Sequence, residues 1–209
     1  EVEAALGVIA FGLTSPLNPP PDLQTFQAAY ASTQGQQALQ AKLTLLHCTT
    51  EYPAPFDQIN LKAMDTLASA FSLPVGYSDH SQGITIPSAA AARGACIIEK
   101  HFTLDKELPG PDHKASLEPH ELKEMVTAIR TVERAMGNGI KTPQPAELTN
   151  LTLARKSLVT TTNIKKGELF SVNNLAVKRP GTGTSPYKYW QKLNTCAERD
   201  YQSGEVIYD

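Results

Sequence analysis

The chain has 209 residues, 41% of them hydrophobic and 19% charged, with a formal net charge of −2. That is enough material for one large core or two modest ones, and with no basic block it excludes a nucleic-acid-binding surface. No apolar run reaches the roughly 18 residues that a membrane span needs.

Glu1 opens the chain without Met or a signal-like segment, as expected of an internal piece of a longer protein. Residues 1–12 predict an amphipathic helix on Val2, Leu6, Val8, Ile9 and Phe11, stopped at Gly12. Four prolines within 15–22 read as a rigid loop, and the Ala/Gln-rich run 23–39 as one weak helix. Leu43–His47 is apolar except at Thr44, the pattern of a strand covered on both faces, and places Cys48 in the core with His47 as a structural residue. Cys48, Cys96 and Cys196 form no CxxC pair, which fits a reducing, cytoplasmic setting and gives no zinc knuckle. Asp57 is positioned to cap a helix whose Leu61, Met64, Leu67, Ala68 and Phe71 recur at helical steps. Further strands follow at 74–78 and 95–99, separated by an Ala-rich helix at 87–93. Pro119 then opens a helix lined by Leu122, Met125, Ile129, Val132 and Met136 and ended by Gly137.

Alternating strands and helices with polar residues after the strands are the grammar of an α/β fold with a parallel sheet. A complete (β/α)8 TIM barrel takes roughly 250 residues, so residues 1–137 supply only about half of one. Residues 138–150 read as a linker. Residues 151–209 read as a small β-rich module in which NIKKGE (163–168) is echoed by YQSGEV (201–206).

The chemistry concentrates after the strands. Alternation sends Glu99 and His101 to one face of their strand and Lys100 to the other, while His80 ends the neighbouring apolar run. Two imidazoles flanked by Asp79, Glu99 and Asp112 can share a metal. A histidine after a strand is also commonly a structural hydrogen-bonder, and pattern alone leaves both readings open.

HCTTEYPAP, YSDHSQGITIP, IIEKHFTLDKELPGPDHKASLEP and LAVKRPGTG resemble the bacterial sialic acid synthases. These enzymes condense phosphoenolpyruvate with an N-acetylated amino sugar and release phosphate. The resemblance implies the C-terminal half of the synthase barrel, with its last three strands, followed by an antifreeze-like (SAF) domain. It implies a divalent metal on His80 and His101, typically Mn2+ with Mg2+ or Co2+ as alternatives, and a catalytic carboxylate at Glu99. By the same resemblance Thr50, Tyr52 and Ser78 lie around the two substrates, and Asp112 binds sugar hydroxyls. Arg179, in a domain-swapped homodimer, then reaches the acyl group of a sugar in the neighbouring barrel. Thr50 stands where some synthases have Asn. Two other readings remain: a non-catalytic sugar-binding or dimerisation module, and a different metal-dependent barrel aldolase.

Overall fold

The computed structural model describes residues 1–14 and 20–209, so most of the expected Pro-rich loop lies outside the described residues. The chain divides into two compact units, residues 1–139 and 140–209.

The first unit begins with three helices, α1 (Val2–Thr14), α2 (Leu23–Ala31) and α3 (Thr33–Lys42). Helix α1 runs through Gly12 and buries Leu6, Gly7, Ala10 and Phe11, while Val8 and Ile9, expected on the covered face, are exposed. The single helix expected over 23–39 is two. Ser32 breaks it because its backbone is extended and its hydroxyl accepts the Gly35 N–H at 2.9 Å, so it caps α3 rather than continuing α2.

Strands β1 (Leu45–Cys48), β2 (Val75–Asp79) and β3 (Ile98–Lys100) form a parallel sheet with β2 in the middle. Helix α4 (Ala63–Phe71) starts six residues later than Asp57, which instead sits in a 3-10 turn at Phe56–Gln58. The prolines at 53 and 55 and the left-handed backbone of Asn60 (φ 52°) delay the helix. Helix α5 (Thr85–Ala92) links β2 to β3. Ile59, Met64, Val75, Tyr77 and Ala90 pack together with Leu45, Leu67 and Ile98, so one face of the sheet is covered by α4 and α5. Helix α6 (Pro119–Met136) starts at Pro119 and ends at Gly137 (φ 63°) as expected, but only Met125 of its stripe is buried and Met136 is exposed.

In the second unit the expected linker contains a helical turn, α7 (Pro145–Leu148), followed by α8 (Leu151–Ala154). Strands β4 (Ser157–Thr160) and β5 (Leu175–Lys178) pair antiparallel, and a short helix α9 (Tyr189–Lys192) follows. The sequence echo is a structural repeat. Gly167 and Gly204 take φ of 87° and 83°, and in each turn the following glutamate accepts a backbone N–H three residues back, Lys165 to Glu168 and Gln202 to Glu205, both at 2.7 Å. The two turns also meet through a bridge between Ile164 and Tyr201. The Gln202 N–H, and then the Arg199 guanidinium, hold the Glu205 carboxyl below the usual carboxylate range.

Leu158, Ile164, Phe170, Leu175, Ala197, Tyr201 and Ile207 are the core of this unit. Phe170 is fully buried and meets Tyr201 edge-on at 5.6 Å. Phe170→Ala is expected to cost about 3–5 kcal/mol, comparable with the whole stability of so small a unit. A denaturant titration followed by the fluorescence of Trp190, the sole tryptophan, should show that loss as an earlier midpoint.

Candidate active site

The parallel register sets Cys48 beside Ser78 and Ser78 beside Glu99. Alternation therefore turns Leu46, Cys48, Gly76, Ser78 and Glu99 to the face that α4 and α5 leave open. Gly76 is required there, because a Cβ would stand 2.5 Å from Leu46 Cδ2 and 2.6 Å from the Ile97 carbonyl. Cys48, expected in the core, is exposed, with its thiol 3.7 and 3.9 Å from the two ring nitrogens of His80. The strand runs one residue further than its apolar pattern does, and its second face is open. His47 points the other way and is structural as expected, with Nε2 2.7 Å from the Ile59 carbonyl.

The histidines at the ends of β2 and β3 come together, their rings 5.5 Å apart and nearly perpendicular. Tyr52, from the loop after β1, stacks on His80 at 4.0 Å and meets His101 edge-on at 5.0 Å. His80 Nδ1 lies 2.7 Å from the Thr49 carbonyl, which can only accept, so in the neutral ring Nδ1 carries the proton and donates. Its Nε2 then offers a lone pair, and the Tyr52 hydroxyl donates to it at 2.7 Å. Desolvation first, and then the nearness of Cys48, Asp112 and Glu99, pushes the Tyr52 hydroxyl above its ordinary pKa, so it is a donor at neutral pH.

Around this aromatic trio, Ser78 Oγ donates to Glu99 Oε1 at 2.6 Å, and Asp112 Oδ2 stands 3.8 Å from His101 Nδ1. The loop bearing Asp112 is braced by a 2.7 Å bond between Thr103 Oγ1 and His113 Nδ1. It is also tied to α6 by Lys106, whose N–H donates to Glu118 and whose ammonium bonds Glu121. Thr50 is exposed on the Tyr52 loop. Of the residues singled out from sequence, Tyr52, Ser78, His80, Glu99, His101 and Asp112 converge at one end of the sheet. Arg179 belongs to the second unit, where its Nε donates to the Ala154 carbonyl at 3.1 Å. Sequence reasoning missed Cys48 as a site-facing group, and the pairing of Lys100 with Asp79 behind the site.

Among the described residues no group of three or more His, Cys, Asp or Glu side chains has the geometry to hold a metal ion by itself. The donor chemistry nonetheless fits a divalent cation held by two imidazoles and completed by oxygens from substrate or water. His80 Nε2 is the atom its backbone-fixed tautomer leaves available, and the Tyr52 hydroxyl now bonds it.

A model of the NeuB family matches residues 1–141. The chain is 56% identical over 170 residues to the N,N'-diacetyllegionaminic acid synthase of Campylobacter jejuni subsp. jejuni, covering 81% of this chain and 51% of that one. It is 40% identical over 141 residues to the human N-acetylneuraminate-9-phosphate synthase, covering 67% and 39% of the two chains. Among solved structures, an N-acetylneuraminic acid synthetase from Leptospira borgpetersenii in complex with citrate superposes with TM-score 0.51 at 38% identity, over 62% of this chain and 45% of that one. A putative spore coat polysaccharide biosynthesis protein E from Chromobacterium violaceum, 23% identical, shares the fold with TM-score 0.55 over 79% and 51%. The chain spans about half the length of the curated relatives it matches.

Proposed function

We propose, from the premise that this chain belongs to the NeuB family, that it is part of a nonulosonic acid synthase joining phosphoenolpyruvate to an N-acetylated amino sugar with release of phosphate. The observation that carries this reading is the convergence of Tyr52, His80, His101, Glu99 and Asp112 at one end of a parallel sheet. In the reaction the enol carbon of phosphoenolpyruvate attacks the sugar aldehyde, water adds at the former enol-ether carbon, and the phosphate leaves. A divalent cation on His80 and His101, most naturally Mn2+, supplies Lewis acidity toward the aldehyde when bound.

The remaining work falls to the chain's own groups. Glu99, fixed by Ser78, holds a proton at the attacking water or at a sugar hydroxyl. Asp112 accepts from the hydroxyls of the open-chain sugar, and the Tyr52 hydroxyl and Thr50 complete the substrate contacts. The first unit then represents the C-terminal part of a (β/α)8 barrel and the second an antifreeze-like (SAF) domain. The small size of the second unit and its doubled Gly-Glu turns support that assignment. Arg179 serves the acyl group of a sugar bound to the partner's barrel, in a domain-swapped homodimer. No described helix is long and apolar enough to cross a membrane.

The test offers phosphoenolpyruvate with N-acetylmannosamine, its 6-phosphate or a diacetylated deoxy sugar, to the 209-residue chain and to a full-length enzyme carrying the segment. Products are read by mass spectrometry. The full-length enzyme is expected to consume one of the three acceptors, and the 209-residue chain none. Turnover by the 209-residue chain would show that it needs no further barrel strands, and inertness of the full-length enzyme toward every acceptor would overturn the reading.

A further inference from the structure

The dipeptides Asp79-His80 and Lys100-His101 stand at the same level of two neighbouring strands, and the parallel register pairs Asp79 directly with Lys100. Alternation sends both side chains behind the sheet, away from Ser78 and Glu99. There Lys100 Nζ meets Asp79 Oδ2 at 2.6 Å, with the side chains 2% and 0% exposed, and also donates to the Ser81 carbonyl at 2.5 Å. Asp79 Oδ1 accepts the Ser81 N–H at 3.0 Å, the Ser81 hydroxyl at 2.7 Å and the Tyr77 hydroxyl at 3.1 Å. The Tyr77 hydroxyl is raised in pKa by burial and by Asp79, so it stays a donor.

A buried ion pair contributes little net stability, because removing two charges from water costs about as much as their attraction returns. Its effect here is geometric. The bonds grip residues 79 and 81 on either side of His80 and cross-tie them to the residue before His101. The carbonyls of the two histidines are held as well, that of His80 by the Ala54 N–H at 3.0 Å and that of His101 by the Leu117 N–H at 2.9 Å.

We propose that Asp79 and Lys100 are positioning residues, whose buried pair sets the separation of the two imidazoles and thereby the affinity of His80 and His101 for a divalent cation. The inference rests on the reading of those histidines as ligands, and the test separates the two claims. Mn2+ is titrated into a full-length enzyme carrying the segment, with the fall of the free-ion paramagnetic resonance signal reporting binding. Co2+ is titrated in parallel, with its visible bands reporting ligand geometry. The double variant Asp79→Asn/Lys100→Met removes both charges together and keeps shape, so neither is left stranded. It is expected to keep the melting temperature within a few degrees, weaken Mn2+ binding about ten- to a hundredfold, and move the Co2+ bands. Tyr77→Phe deletes only one donor to Asp79 and should weaken binding roughly threefold, which decides the matter if the double variant does not fold.

Binding and spectra unchanged in the folded variants, while His80→Ala and His101→Ala abolish binding, would overturn the positioning role and leave the ligands standing. If His80→Ala and His101→Ala bind Mn2+ as the unaltered full-length enzyme does, or if that unaltered enzyme binds none, the ligand reading fails and the positioning role falls with it.

Discussion

His80→Ala or His101→Ala is expected to lower the activity of a synthase carrying this segment by about three orders of magnitude, and to prevent Mn2+ from restoring activity after chelation. The size follows from the several kcal/mol that a Lewis acid contributes to a carbonyl addition, at tenfold per about 1.4 kcal/mol. The two variants should differ in their side effects. His80 is bonded by the Thr49 carbonyl and stacked on Tyr52, so its removal also loosens the loop after β1 and should raise KM for the acceptor. His101 meets the rings of Tyr52 and His80 edge-on and stands 3.8 Å from Asp112, contacts that do not anchor the loop after β1 to the backbone, so its loss should fall mainly on kcat. Phosphate release, measured before chelation, after it and after Mn2+ is added back, checks both. Full turnover by either variant in metal-free buffer would remove the metal role.

Arg179→Ala is expected to reduce acceptor affinity roughly ten- to a hundredfold, the worth of a charge-assisted hydrogen bond of about 1.5–3 kcal/mol to an acyl oxygen. Metal binding and melting temperature should not change, since the recorded tie of Arg179 is one exposed bond to Ala154. Residues 137–144 carry neither helix nor strand. If flexible, such an eight-residue segment spans on the order of 16 Å, enough to allow the second unit to serve a partner's barrel. A closed two-fold dimer would use that contact twice. Mixing full-length Arg179→Ala with full-length His101→Ala tests action in trans: each alone is impaired, and mixed dimers should recover part of the activity because one of their two sites is intact. If subunit exchange is verified and no activity returns, Arg179 does not serve the neighbouring barrel.

What could be read from sequence followed local chemistry closely. Pro119 and Gly137 bracket α6 because one pre-sets the first helical turn and the other accepts a positive φ, and neither depends on the rest of the fold. Strand β2 was legible through Val75 to Tyr77, the apolar start of a buried central strand, although it runs on through the polar Ser78 and Asp79. The break at Ser32 was hidden, since a serine within an Ala/Gln-rich run signals a cap only when the chain actually turns there. Asp57 looked like a cap for the same local reason, and lost to the Pro-rich approach and the left-handed turn at Asn60.

In the site, the shared face of Glu99 and the ends of β2 and β3 followed from alternation. The exposure of Cys48 did not, because an apolar strand pattern reports that faces are covered without saying by what. The Asp79–Lys100 pair was within reach, given that each residue directly precedes a site histidine and alternation already put Lys100 on the far face. What sequence could not supply was the register that brings the two together.

The sheet of the first unit has a further bearing on how this polypeptide behaves in solution. Strand β2 has a neighbour on each side, whereas β1 and β3, among the described residues, each have one. Their outer rails of N–H and C=O groups are a template for recruiting another extended segment, and the exposed Ile97 offers that recruit an apolar landing point. Protein yield after expression should therefore fall as concentration rises, and co-expression of a polypeptide able to donate a parallel strand should rescue it. Open edges on both sides of one sheet set association in competition with folding.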